Sequence, residues 1–190
     1  MSDQNKFPDG DPKGIKLQME KMQQGLRDMA KSLGIEADQI DDLVQALISG
    51  EPLYKLYSLP EDVINARYAL AYNLYGSRKY AEAEQLFKWL CVYQAPNAAN
   101  WMGLAASRQA QNKFEDAIDA YQMAMVHTCM QDPAPFYYGG ICNLRLGKRE
   151  EGLAAIEAAA FIADPNCPEH KPILERAKLL LEGNKQENLA

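Results

Sequence analysis

The sequence predicts an all-α chain: a short solenoid of three helix-turn-helix repeats, with N-terminal helices before it and a C-terminal capping helix after it. Three observations carry this. Residues 67–71 (RYALA) align with residues 101–105 (WMGLA) at an offset of 34, which also carries Tyr80 onto Phe114, Ala83 onto Ala117 and Phe87 onto Tyr121. A further step of 35 carries Trp101 onto Phe136, Ala105 onto Gly140, Ala117 onto Gly152, Tyr121 onto Ile156 and Ala124 onto Ala159. Large residues fall on large and small on small, as paired helices need where their backbones approach. The breaks keep the same period: Gly76-Ser77, Gln111-Asn112 and Gly147-Lys148 fall within repeats, and Pro96-Asn97, Asp132-Pro133 and Asp164-Pro165-Asn166 between them. Asp132 before Pro133 is a helix N-cap with proline at the first helical position.

The bulk properties exclude several function classes. A chain of 190 residues can bury one core and carry an arm. Its 47% hydrophobic and 24% charged residues are ordinary for a globular protein, and a net charge of −6 offers no basic footprint for nucleic acid. No apolar run approaches the roughly 18 residues of a membrane span, and the polar N-terminus has no signal-peptide pattern; the chain reads as cytoplasmic, without membrane insertion. Cys91, Cys129, Cys142 and Cys167 lack the spacing of a zinc site or disulfide framework, and the first three fall in helical patterns. His127 and His170, the latter placed in the first turn of the last helix, have no ligand or catalytic partners at motif spacing. Glycine-rich phosphate loops, HExxH and GxSxG are absent, and Asp41/Asp42 and Glu150/Glu151 sit at helix starts, where the dipole favours them. No enzyme, metal or cofactor is expected.

In chain order, residues 1–14 are a polar, disordered lead-in, and residues 15–62 form a helical arm. Within the arm Ile15, Met19, Met22, Leu26, Met29 and Leu33 are spaced four, three, four, three and four, an a/d seam interrupted by Gly25. The seam admits two occupants, the chain's own body or a second copy of the chain. A helix over 38–48 follows, stopped by Gly50, and Ser58 with Glu61 reads as a capping box for a helix running from about Leu59 to Gly76. The repeats occupy 63–96, 97–131 and 132–165. A last helix, opened by residues 166–169 and ended by Gly183, covers the final apolar face over 166–183, and 184–190 form a tail.

The first repeat helix has two apolar faces. At about 100° per residue, Tyr68, Tyr72 and Tyr75 lie within roughly 60° of one another, while Leu70, Ala71 and Leu74 form a separate stripe matching the internal packing positions. Carried through the repeat, the tyrosine stripe continues as Met102, Ala106 and Gln109, then Tyr137, Ile141 and Leu144. The preceding helices could cover this stripe, or it could line a groove for an extended peptide. Tyrosine suits a groove because it buries apolar area while its hydroxyl bonds to peptide backbone.

The period and small/large pattern are those of the tetratricopeptide repeat, which implies a right-handed solenoid. The segments ALAYNLY (69–75), KYAEA (79–83), LFKWLCV (86–92) and SRQA (107–110) resemble something narrower: the class II chaperones of type III secretion systems. Arg78 stands where that family's pattern has glycine, Ser107 where it has cysteine, and Trp101 where it has tyrosine or phenylalanine. The resemblance covers about 43–165. It implies a bacterial cytoplasmic chaperone whose concave aromatics, here Tyr68, Tyr72 and Tyr75, hold a segment of a pore-forming translocator protein. It also implies a homodimer formed through N-terminal helices. The competing expectation is a repeat adaptor or regulator serving another multiprotein complex.

Overall fold

In the computed structural model, residues 58–187 are described, together with Gln24, Pro52 and Lys55. The lead-in, the seam residues Ile15, Met19, Met22, Leu26, Met29 and Leu33, and the 38–48 helix lie outside the described residues.

Residues 58–187 form seven helices: α1 (Glu61–Gly76), α2 (Tyr80–Tyr93), α3 (Ala98–Ala110), α4 (Phe114–His127), α5 (Pro133–Arg145), α6 (Arg149–Ile162) and α7 (Lys171–Glu187). Each packs on the next, α1 also reaches α3, and α7 touches α5 as well as α6. Three antiparallel pairs are therefore stacked in sequence, with α7 against the last pair.

The core repeats as the alignment predicts. Phe87, Tyr121 and Ile156 occupy equivalent positions on α2, α4 and α6, and all three are buried. Small residues face them: Ala71 and Ala83, then Ala105 and Ala117, are fully buried. In the third pair both small positions are glycine, and a Cβ on Gly140 would stand 2.8 Å from the Gly152 carbonyl oxygen. That crossing tolerates no side chain on α5.

The turn within each pair is built one way three times. Arg78, Asn112 and Gly147 have φ of 61°, 61° and 78°. In each case the following N–H bonds back to the carbonyl five residues earlier: Lys79 to Leu74, Lys113 to Arg108 and Lys148 to Asn143. This left-handed stop closes a helix end through a six-residue bond. Between repeats, Asn97 and Asp132 accept from the N–H groups of Ala99 and Ala134 at 3.0 and 2.9 Å.

Several expectations need correction. Ser58 does not cap α1: it has φ of 49°, the helix opens behind extended Pro60, and the N-cap position makes no side-chain hydrogen bond to the first turn. Glu61 and Asp62 instead place negative charge at that end. Leu70 is not a hairpin-core residue, being 51% exposed, while Ile64 takes the buried place two helical turns before Ala71. Gly183 does not end α7, which runs on to Glu187. His170 lies in the turn before α7 and accepts from the Asp164 N–H, and Cys129 lies past the end of α4 with φ of 50°.

Candidate functional site

Two recesses lie along the face made by α1, α3 and α5. The first, about 400 Å³, is lined by Tyr68, Tyr72 and Tyr75 from α1 and Phe87 from α2. Its floor is α3, through Ala98, Ala99, Met102, Gly103 and Ala106, and Asp132 stands at its edge. The absence of a side chain at Gly103 is what admits Phe87: a Cβ there would sit 2.3 Å from the ring. Phe87 then receives Tyr68 edge-on, with ring centroids 6.0 Å apart. Tyr72 is 65% exposed, an aromatic surface facing solvent.

The second recess, about 540 Å³, shares Tyr75, Met102 and Ala106 with the first. It adds Gln109 and Ala110 from α3, Asn112 from the turn, and Phe114 and Tyr121 from α4. Tyr138, Ile141 and Arg145 of α5 close it. Tyr121 donates to Gln109 Oε1 at 2.6 Å and stacks on Tyr138, with centroids 6.1 Å apart. Burial, with Tyr80 and Tyr138 nearby, raises the Tyr75 pKa, and burial raises that of Tyr121 as well, so these hydroxyls keep their protons and act as neutral hydrogen-bonding groups.

Of the stripe expected from the repeat, Tyr68, Tyr72, Tyr75, Met102, Ala106, Gln109 and Ile141 line these recesses. Tyr137 and Leu144 do not. Tyr137 is buried in a cluster with Ile156, Ala159, Ile173 and Ala177. Leu144 abuts Gly152 and lines a small hollow near α7. On α5 the lining residues therefore fall at Tyr138, Ile141 and Arg145, and helix α7 takes the side that Tyr137 presents.

The chemistry of the face is that of a binding surface. Among the described residues no group of three or more His, Cys, Asp or Glu could hold a metal ion, and no helix is long and apolar enough to cross a membrane. All four cysteines are free thiols, and burial pushes the Cys91 and Cys142 pKa values up to about 12 and about 11.

Sequence reasoning also missed Glu84 on α2, a residue 2% exposed behind the groove. Its carboxylate accepts from Lys88 Nζ at 2.8 Å, Lys113 Nζ at 2.8 Å, Gln111 Nε2 at 2.9 Å and Arg108 Nε at 3.4 Å. Burial opposes its ionisation, but the hydrogen bonds from Lys113, Lys88 and Gln111 prevail and hold its pKa at about 2. One carboxylate thus ties the first repeat to the second.

Comparison with known proteins places this architecture. Residues 67–97 and 99–126 match the tetratricopeptide repeat model. The chain is 30% identical over 142 residues to the low calcium response locus protein H of Yersinia pseudotuberculosis, covering 73% of this chain and 82% of that protein. It is 29% identical over 124 residues to the chaperone protein SicA of Salmonella dublin, covering 65% and 74%. Among solved structures, a type III secretion complex from Aeromonas hydrophila superposes with TM-score 0.71 at 30% identity, over 77% of this chain and 96% of that one. The Yersinia enterocolitica translocator chaperone SycD gives 0.65 at 29% identity, over 70% and 97%. PcrH of Pseudomonas aeruginosa, in complex with the chaperone-binding region of PopD, gives 0.64 at 27% identity, over 68% and 96%.

Proposed function

We propose, for a chain that belongs to the class II, tetratricopeptide-repeat family of type III secretion chaperones, that its groove holds an extended segment of a pore-forming translocator protein and keeps that client soluble and competent for export. The observation that carries this reading is the continuity of the two recesses through Tyr75, Met102 and Ala106, with the exposed ring of Tyr72 at one end. PcrH has been solved with the chaperone-binding regions of both PopD and PopB, and SycD with a peptide of YopD, which supports a translocator segment as the occupant here.

The energetics suit a releasable complex. An anchor buried in either recess contributes about 1.5–3 kcal/mol. Three or four anchors, set against an association cost of at least ~4 kcal/mol, leave at most about 8 kcal/mol, so binding is micromolar at its tightest. Clients with membrane-inserting segments expose large apolar patches, so covering one segment in the bacterial cytoplasm limits premature association. The role is non-catalytic and needs no cofactor. SycD has been solved in an alternative dimer, and we assign the seam over 15–33 to homodimerisation of this chain.

The test is the double substitution Tyr68→Ala with Tyr72→Ala, co-expressed with a translocator client that co-purifies with the native chain. Far-ultraviolet circular dichroism should be unchanged and the client should no longer co-purify. A folded double variant that retains its client would remove the groove from the account.

A further inference from the structure

The two recesses differ in polarity, and the difference points to the kind of segment that fits. The first is walled by aromatic rings, alanines, Met102 and Gly103, and its one acid, Asp132, is occupied in capping α5. The second carries Gln109, Asn112, three tyrosines and Arg145, and no Asp or Glu lines it. Arg145 is exposed there and has no ion pair among the described residues. Lys88, Arg108 and Lys113 are engaged by Glu84, Lys79 by Glu82, and Arg67 lies over the Trp89 ring at 3.9 Å. Gln109 spends its oxygen on the Tyr121 hydroxyl, which leaves its NH₂ as the group available to a ligand. The second recess therefore offers donors and a cation without an anion of its own.

We infer that this recess is a carboxylate subsite: Arg145 and Gln109 receive an Asp or Glu side chain of the bound segment, while the first recess holds an aliphatic or aromatic anchor. The inference rests on the groove reading above and specifies its ligand. A helix-end arginine also complements the carbonyls of the last turn of α5, but that role does not require a recess lacking acids in front of it. Neighbouring helices stand about 10 Å apart, and an extended chain rises about 3.3 Å per residue. The acid should accordingly lie about three residues from the anchor. A guanidinium–carboxylate pair with a second amide donor fixes the register of a segment whose apolar anchor alone would slide.

The experiment pans a phage library of random decapeptides, displayed without a free C terminus so that side chains are the acids on offer, against the full-length chain and its Arg145→Glu variant. The expected result is enrichment of an apolar anchor by both proteins, with Asp or Glu about three residues away for the native chain and Lys or Arg there for Arg145→Glu. Replacing the acid of the best selected peptide by its amide should weaken binding about tenfold to the native chain and leave binding to Arg145→Gln unchanged. Anchor enrichment without an acid, or an acid preference that Arg145→Glu leaves intact, overturns the subsite and leaves the groove standing. Absence of any anchor enrichment, with Tyr68→Ala/Tyr72→Ala selecting the same peptides as the native chain, overturns the groove itself.

Discussion

Arg78 holds a backbone conformation that any residue with a Cβ resists. Its φ of 61° matches that of Asn112 and lies near the 78° of Gly147, its equivalents in the next two repeats. Asparagine tolerates this region and glycine adopts it freely, whereas arginine pays about 1 kcal/mol or more. Arg78→Gly should therefore raise stability by about 1 kcal/mol in urea denaturation, even though glycine also loosens the unfolded chain. Gly147→Ala should lower it by a similar amount. Glu84 gives a pH-dependent counterpart. Its pKa is about 2 when folded against an ordinary 4.5, so its stabilising contribution is complete above about 4.5 and fades as pH falls toward 2. Glu84→Gln should cost about 2 kcal/mol at pH 7, since it leaves lysine and arginine groups facing a neutral amide. The cost should shrink in denaturation measured near pH 2. Arg78 stood out in the sequence as a departure from the family's glycine, whereas the Glu84 effect was not legible from residue type. A glutamate at the fifth position of a repeat's second helix reads as solvated until the facing turn supplies Gln111 and Lys113.

At the scale of the element, the helix pairs were readable because their signal is a period. Phe87, Tyr121 and Ile156 fall on one position, and a core of that regularity cannot arise from unrelated helices. Gly140 and Gly152 mark the tightest crossing. Gly140→Ala should destabilise by about 2 kcal/mol or more, because the new methyl meets the Gly152 backbone oxygen rather than a flexible side chain. Thermal unfolding would measure it. What the period could not supply is the rotation of each helix within the stack. Copying the tyrosine stripe by 35 residues selected Tyr137 and Leu144, whereas α5 presents Tyr138 and Arg145 to the groove and gives its Tyr137 side to the α7 cluster. One residue is about 100° of helix, enough to exchange groove for core. Leu70 failed for a related reason. It sits where the repeat pattern places a packing residue, yet α1 opens the described stack and leaves it half exposed.

For the whole molecule, the described helices provide a face with an aromatic end and a polar end, and the segment before them carries the seam we assign to dimerisation. Removal of residues 1–35 should convert the full-length dimer to a monomer in sedimentation equilibrium; the same number of chains per particle in the two forms would return that seam to the chain's own body. The placement of Tyr68, Tyr72 and Tyr75 on one side of α1 was legible from angles alone, and the family resemblance supplied the kind of partner. The sharing of Tyr75, Met102 and Ala106 between two recesses was not, because it depends on how α1, α3 and α5 are turned toward one another. The central claim is that this face, and not some other exposed apolar surface, holds the translocator. Tyr72 and Phe161 make a fair comparison: both are exposed, at 65% and 91%, and Phe161 lines neither recess. A photo-crosslinking amino acid placed in turn at these two positions, in chaperone co-expressed with its translocator, should capture the client from position 72 and not from position 161. Capture from position 161 alone would contradict the account.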